Sequence, residues 1–136
     1  MIQGLIKRPT SLEFDFIKLF SSQKINAVYI GDGSKIIEGK NPDFIIPNNK
    51  IVIDVRHTTV CKFKNKISFR EYKNRRITFF KSKGWTCLVY SEKNLTDKNK
   101  VIKEVKDAMQ LDNFNLTSHP SLNGCNKFYN SCSLED

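Results

Sequence analysis

The segment Ile51-Val-Ile-Asp-Val-Arg56 restricts the fold of this chain more than any other. Its near-continuous β-branched residues predict a strand covered on both faces, the environment of a central strand in an α/β sheet. Upstream, residues 10–21 have the pattern of an amphipathic helix, with Leu12, Phe16, Leu19 and Phe20 on one stripe and Thr10 as N-cap. Short strands are expected over 27–30 and 43–46, separated by the turn signal Gly31-Asp-Gly-Ser34, and Pro47-Asn-Asn-Lys50 has the composition of a hairpin turn. Downstream come a basic helix over 66–83 stopped by Gly84, a buried strand over 85–90, and a helix capped by Thr96 that runs to about Leu111. The order α-β-β-β-α-β-α predicts an α/β domain over residues 1–111, a central mixed β-sheet flanked by helices. Residues 112–136, rich in Asn, Ser, Gly and Pro, are expected to form an irregular extension or linker.

Asp54 is the anomaly in the central strand. An unpaired charge inside a protein costs several kcal/mol, so it must face a cation, a metal or a cleft. Strand alternation puts Asp54 on the face of Val52 and Arg56, with Ile53, Val55 and His57 opposite unless a bulge intervenes. An Asp54–Arg56 pair at the strand end is the plain structural alternative. A second carboxylate, Asp43, opens the preceding strand, and the turn at 47–50 folds that strand back beside 51–56. Two carboxylates converging from adjacent strands suit a hard cation such as Mg²⁺, with Mn²⁺ able to substitute, which keeps its other positions for water and phosphate. Such a metal activates water and neutralises charge on a scissile phosphodiester.

Charge distribution points to the same chemistry. The net charge is +9, and residues 62–84, with nine basic groups and one acidic, supply +8 of it. Interleaved with Phe63, Phe69, Tyr72, Phe79 and Phe80, this window has what binding to a phosphate backbone needs, because each Lys or Arg at a phosphate releases counterions. Lys62, Lys64, Lys66, Arg70 and Arg75 are candidate contacts to the phosphates of a nucleic acid, and Arg76 joins them. The alternative is a solvated basic face. At about 100° per residue, Lys73 and Arg76 also fall within the apolar stripe of the helix, where cations need anions nearby or must reach past the aromatics to solvent.

No run approaches the roughly twenty apolar residues of a membrane span, and no secretory leader is evident, so a soluble cytoplasmic protein without membrane contact is expected. Cys61 and Cys87 sit in apolar surroundings and read as core residues. Cys125 and Cys132, with His119 nearby, lack zinc-ligand spacing, so zinc is not expected and reduced thiols are.

Asn41-Pro42-Asp43-Phe44 followed by Ile51-Val-Ile-Asp54-Val55-Arg56 resembles the PD-(D/E)XK nuclease signature, and the helix ending in Lys83-Gly84-Trp85 before a strand resembles very-short-patch-repair endonucleases and related phage homing endonucleases. The resemblance spans roughly residues 10–108. It implies a restriction-endonuclease-like core and a Mg²⁺-dependent DNA endonuclease. Asp43 and Asp54 would hold the metal, with the carbonyl of Val55 as a further ligand and Glu13 as the first-helix acid. Glu13 has a competing reading, since Thr10-x-x-Glu13 is a capping-box spacing. The sequence departs from the signature at Arg56, which replaces lysine. Arginine stabilises phosphate charge but is a poor proton acceptor, which leaves His57 or Lys73 as candidates for activating water. A homing endonuclease or its catalytic domain is the specific expectation, and the abundance of Lys, Asn and Ile fits an AT-rich phage or mobile element. A Holliday-junction or mismatch-nicking enzyme, and a catalytically silent DNA-binding module, are the alternatives. A homodimer is left open.

Overall fold

The computed structural model describes residues 8–117. Its elements are α1 (Ser11–Ser22), β1 (Val28–Tyr29), β2 (Phe44–Ile46), β3 (Ile51–Val55), the single turn α2 (Thr58–Val60), α3 (Phe69–Ser82), β4 (Thr86–Tyr90) and α4 (Lys98–Thr117). One four-stranded sheet runs β1-β2-β3-β4, antiparallel across the first two pairings and parallel between β3 and β4.

All five residues of β3 are buried, as the β-branched run predicts, and alternation sorts them between two cores. Ile51, Ile53 and Val55 face Phe16, Phe20, Val101 and Val105 of α1 and α4. Val52 faces Cys87, Val89, Tyr72 and Phe80 under α3. Replacing a fully buried ring such as Phe16 or Phe80 by Ala should cost about 3–5 kcal/mol. Cys61 and Cys87 are buried free thiols. Cys125, Cys132 and His119 lie outside the described residues, as does most of the expected extension.

Three expectations are corrected. The basic helix begins at Phe69 rather than 66, because Ser68 accepts from the Glu71 amide as its N-cap. Before it, α2 passes into a π-helical turn over Cys61–Asn65, closed by Lys66 in a left-handed conformation with φ 58°. Thr96 is not the cap of the last helix. It lies in a 3-10 turn over Glu92–Asp97, and Asp97 accepts from the Lys100 amide at 3.2 Å, while the helix continues past 111 to Thr117. Among the described residues no helix is long and apolar enough to cross a membrane.

Candidate active site

Three carboxylates meet where α1, β2 and β3 converge. Asp54 is 2% exposed; its Oδ1 accepts from the Asp43 amide at 3.2 Å and its Oδ2 from Nε of Arg76. Asp43 reaches back across the β2–β3 pair, its Oδ2 accepting from the Val55 amide at 2.8 Å. Each acid therefore bonds the backbone of the other's strand, which locks both at one end of the sheet.

Glu13 joins them, and both readings of it hold at once. The capping box with Thr10 is complete, with the Thr10 amide on Oε1 at 3.0 Å, and the same oxygen accepts from the Tyr29 hydroxyl at 2.8 Å. Glu13 is also close enough to hydrogen-bond Asp43 and to raise its pKa electrostatically.

The cluster is electrostatically unsatisfied. Burial first, and then the charge of Asp54, push the Asp43 carboxyl up to about 8 against the opposing Val55 N–H. A proton is thus retained among these acids through neutral pH. Burial and the bond to Glu13 also raise the Tyr29 hydroxyl above its ordinary range.

Cations flank the acids from α3. Arg76, with a side chain 18% exposed, pairs with Asp54. Burial opposes its charge, but Asp54 more than offsets this and the guanidinium is held above its usual pKa. The sequence-level alternative of an Asp54–Arg56 pair is therefore corrected: Arg56 instead donates to the Tyr72 hydroxyl at 3.2 Å and stacks over that ring at 4.8 Å. Asp54 and Asp43 still act on Arg56 electrostatically, so it faces the cluster without bonding it.

Other candidates lie elsewhere. His57 needs a bulge to reach the acids, and none exists, because β3 pairs regularly with β4 up to Val55↔Tyr90. It is the N-cap of α2, with Nδ1 accepting from the Thr59 amide at 3.2 Å and lying 3.7 Å from Glu92. Lys73 is half-buried and has no ion pair among the described residues. Lys62, Lys64, Lys66 and Arg70 are exposed around the π-helical turn and the start of α3. Arg75 is exposed and bonded to Glu71 at 2.5 Å. Arg76 leaves this outer face for Asp54.

Two residues of the cluster went unrecognised in the sequence. Tyr29 positions Glu13. Gly31 is obligatory by close approach, since a Cβ there would stand 2.8 Å from Asp43 Oδ1 and 2.9 Å from the Tyr29 hydroxyl. The glycine-rich stretch 31–34 announced a turn but not this contact.

The donor set fits a hard divalent cation. Among the described residues no three His, Cys, Asp or Glu side chains form a ready cage, but Mg²⁺ characteristically takes only one or two protein carboxylates and fills its shell with water and phosphate. Asp43 and Asp54 supply that share, and the proton held by Asp43 marks a place where positive charge is wanted. A cation held there would have to share Asp54 with Arg76. Val55 enters the cluster through its N–H.

The catalytic domain of the homing endonuclease I-Bth0305I, a solved structure, superposes with a TM-score of 0.55 at 19% sequence identity, covering 74% of this chain and 94% of that one. This is a nuclease-like fold. No protein-family model matches the chain, and no curated protein does. Within the nuclease-like fold the acids occupy one end of the sheet with the basic π-helical turn and the start of α3 beside them.

Proposed function

We propose that the protein is a metal-dependent DNA endonuclease of the homing-endonuclease type, hydrolysing phosphodiesters in double-stranded DNA at the Glu13–Asp43–Asp54 cluster. The observation that carries this reading is the unsatisfied charge of the cluster: buried acids converge until Asp43 holds its proton to about 8, a costly arrangement that a divalent cation would relieve. The likeness to a homing endonuclease catalytic domain supports the same reaction class.

Asp43 and Asp54 would hold Mg²⁺ or Mn²⁺, with the Val55 carbonyl as a further ligand. The cation would supply Lewis-acid polarisation of the phosphate and a lowered pKa for bound water. Tyr29 fixes Glu13, and Glu13 is the acid available to orient water beside Asp43. Arg76 and Arg56 present guanidinium charge on the α3 side, where it suits the non-bridging oxygens of a phosphate. Lys73, half-buried on α3, is the remaining candidate for the missing motif lysine. Lys62, Lys64, Lys66 and Arg70 would hold the backbone of the duplex.

The test is cleavage of supercoiled plasmid in Mg²⁺ by the wild type and by Asp43→Asn and Asp54→Asn. Nicked or linear product from the wild type, lost by about 10²–10³-fold in each variant as for removal of one principal electrostatic group, is the expected result. Equal cleavage by all three removes the site. Binding without cleavage under any divalent metal would leave a DNA-binding module in its place, and preference for branched or mismatched duplexes would favour a junction or repair enzyme.

A further inference from the structure

A second basic cluster lies at the opposite end of α3. The ammonium of Lys40 sits 4.8 Å and that of Lys83 5.7 Å from the centre of the Phe79 ring. Lys50 lies 5.3 Å from the Trp85 ring, and its Nζ is 3.7 Å from where a Cβ on Gly84 would stand. Three cations from three separate segments thus lie against aromatic rings at the last turn of α3 and the turn into β4. None of them has a carboxylate partner among the described residues, whereas Lys18, Arg75, Arg76 and Lys103 do.

A solvated basic face leaves its lysines splayed and mixed with acids. Here aromatic faces hold the ammonium groups in place, so less side-chain freedom remains to be lost when an anion binds.

The position favours one partner. Lys50 immediately precedes β3 and Asp54 lies four residues on, about 13 Å along an extended strand. That spacing equals about four base-pair steps of a duplex. The candidate phosphate contacts Lys62, Lys64, Lys66 and Arg70 lie at the other end of the sheet. A duplex lying along α3 would therefore meet basic residues on both sides of the acids.

We infer that Lys40, Lys50 and Lys83 form a second phosphate-backbone contact for double-stranded DNA, bracketing the acidic site from the far end of α3. The inference rests on the proposed nuclease reading and extends the DNA footprint beyond the candidate contacts between Lys62 and Arg76.

Fluorescence anisotropy of a labelled 20-base-pair duplex, measured in Ca²⁺ across a salt series, tests it. The variant Lys40→Gln/Lys50→Gln/Lys83→Gln is compared with Lys93→Gln/Lys98→Gln/Lys106→Gln, which removes equal charge from exposed positions outside the α3 face. At about 0.9 per phosphate contact, the first variant should lower the slope of log K against log salt by about 2–3 and weaken binding at least tenfold. The control should change the slope by less than about 1. Replacement of the same three lysines by Arg should restore the slope, which separates lost contacts from lost folding. Equal effects in the two Gln variants, or an unchanged slope in the first, would overturn the inference while leaving the nuclease reading standing. Failure of the wild type to bind duplex at all would overturn both.

Discussion

Two clusters of polar residues lie at the C-terminal end of β3, and the carboxylates in them shift in opposite directions. In one, Glu92 accepts from the Thr58 amide at 2.9 Å and its hydroxyl at 2.6 Å, with His57 beside it. Although burial works against its charge, the Thr58 bonds leave the Glu92 carboxyl below its usual pKa. In the other, Asp43 also accepts a good N–H bond at 2.8 Å, yet its pKa rises to about 8. Donors alone do not separate the two. Glu92 has donors and a histidine around it, whereas Asp43 has two further acids. The first cluster satisfies itself and anchors the chain leaving β3. In the second, Arg76 pairs with Asp54 but Asp43 and Glu13 have no ion pair among the described residues, and this is where a ligand is to be sought.

The sharpest way to break this contrast is Arg76→Ala. It strips Asp54 of its partner, and breaking a buried pair costs about 3–5 kcal/mol. If the acids want a cation, Mg²⁺ should restore a substantial part of the loss in a thermal melt, and no restoration would count against them as a metal site.

Asp43→Asn should act in the other direction. Because the folded pKa of Asp43 lies above its unfolded value of 3.8, the native state binds its proton more tightly. That contribution is present at low pH and is lost as pH rises towards 8. Asparagine avoids the loss, so the variant should match the wild type near pH 4 and become increasingly the more stable of the two as pH rises to 8.5, measured by urea unfolding.

Glu92→Gln should show the opposite sign. Glu92 contributes stability above its unfolded pKa of 4.5, so the variant should lose about 1–2 kcal/mol at neutral pH, a cost that fades as the wild-type carboxyl is protonated. The smallest effect is expected from His57→Ala, which removes an N-cap from one helical turn. It should cost about 1 kcal/mol or less and leave any Mg²⁺-dependent melting shift intact; loss of that shift would return His57 to the site.

The sequence made much of this legible where one physical signal dominated. The β-branched run of β3, the stripe of Phe16, Leu19 and Phe20, and Gly84 at the end of α3 with φ 85° each leave little choice. The convergence of Asp43 and Asp54 followed from the turn at 47–50, and Arg76 from helical periodicity. What stayed hidden depended on tertiary neighbours. Thr58, Thr59 and Val60 have low intrinsic helix propensity, and it is Glu92, far along the chain, that bonds their turn. Tyr29 lies in a two-residue strand with no pattern of its own, and its bond to Glu13 appears only once α1 packs beside β1. Periodicity also put Lys73 and Arg76 on one stripe without separating them, and only the register of α3 against β3 gave Asp54 to Arg76.

The central claim is that these acids are built for a divalent cation, and its most direct test is the Mg²⁺-induced shift in melting temperature measured from pH 6 to pH 8.5. The shift should grow with pH as Mg²⁺ ceases to compete with the proton that Asp43 retains to about 8, and should vanish in Asp43→Asn and Asp54→Asn. A shift that is absent at every pH, or present equally in both variants, would contradict it.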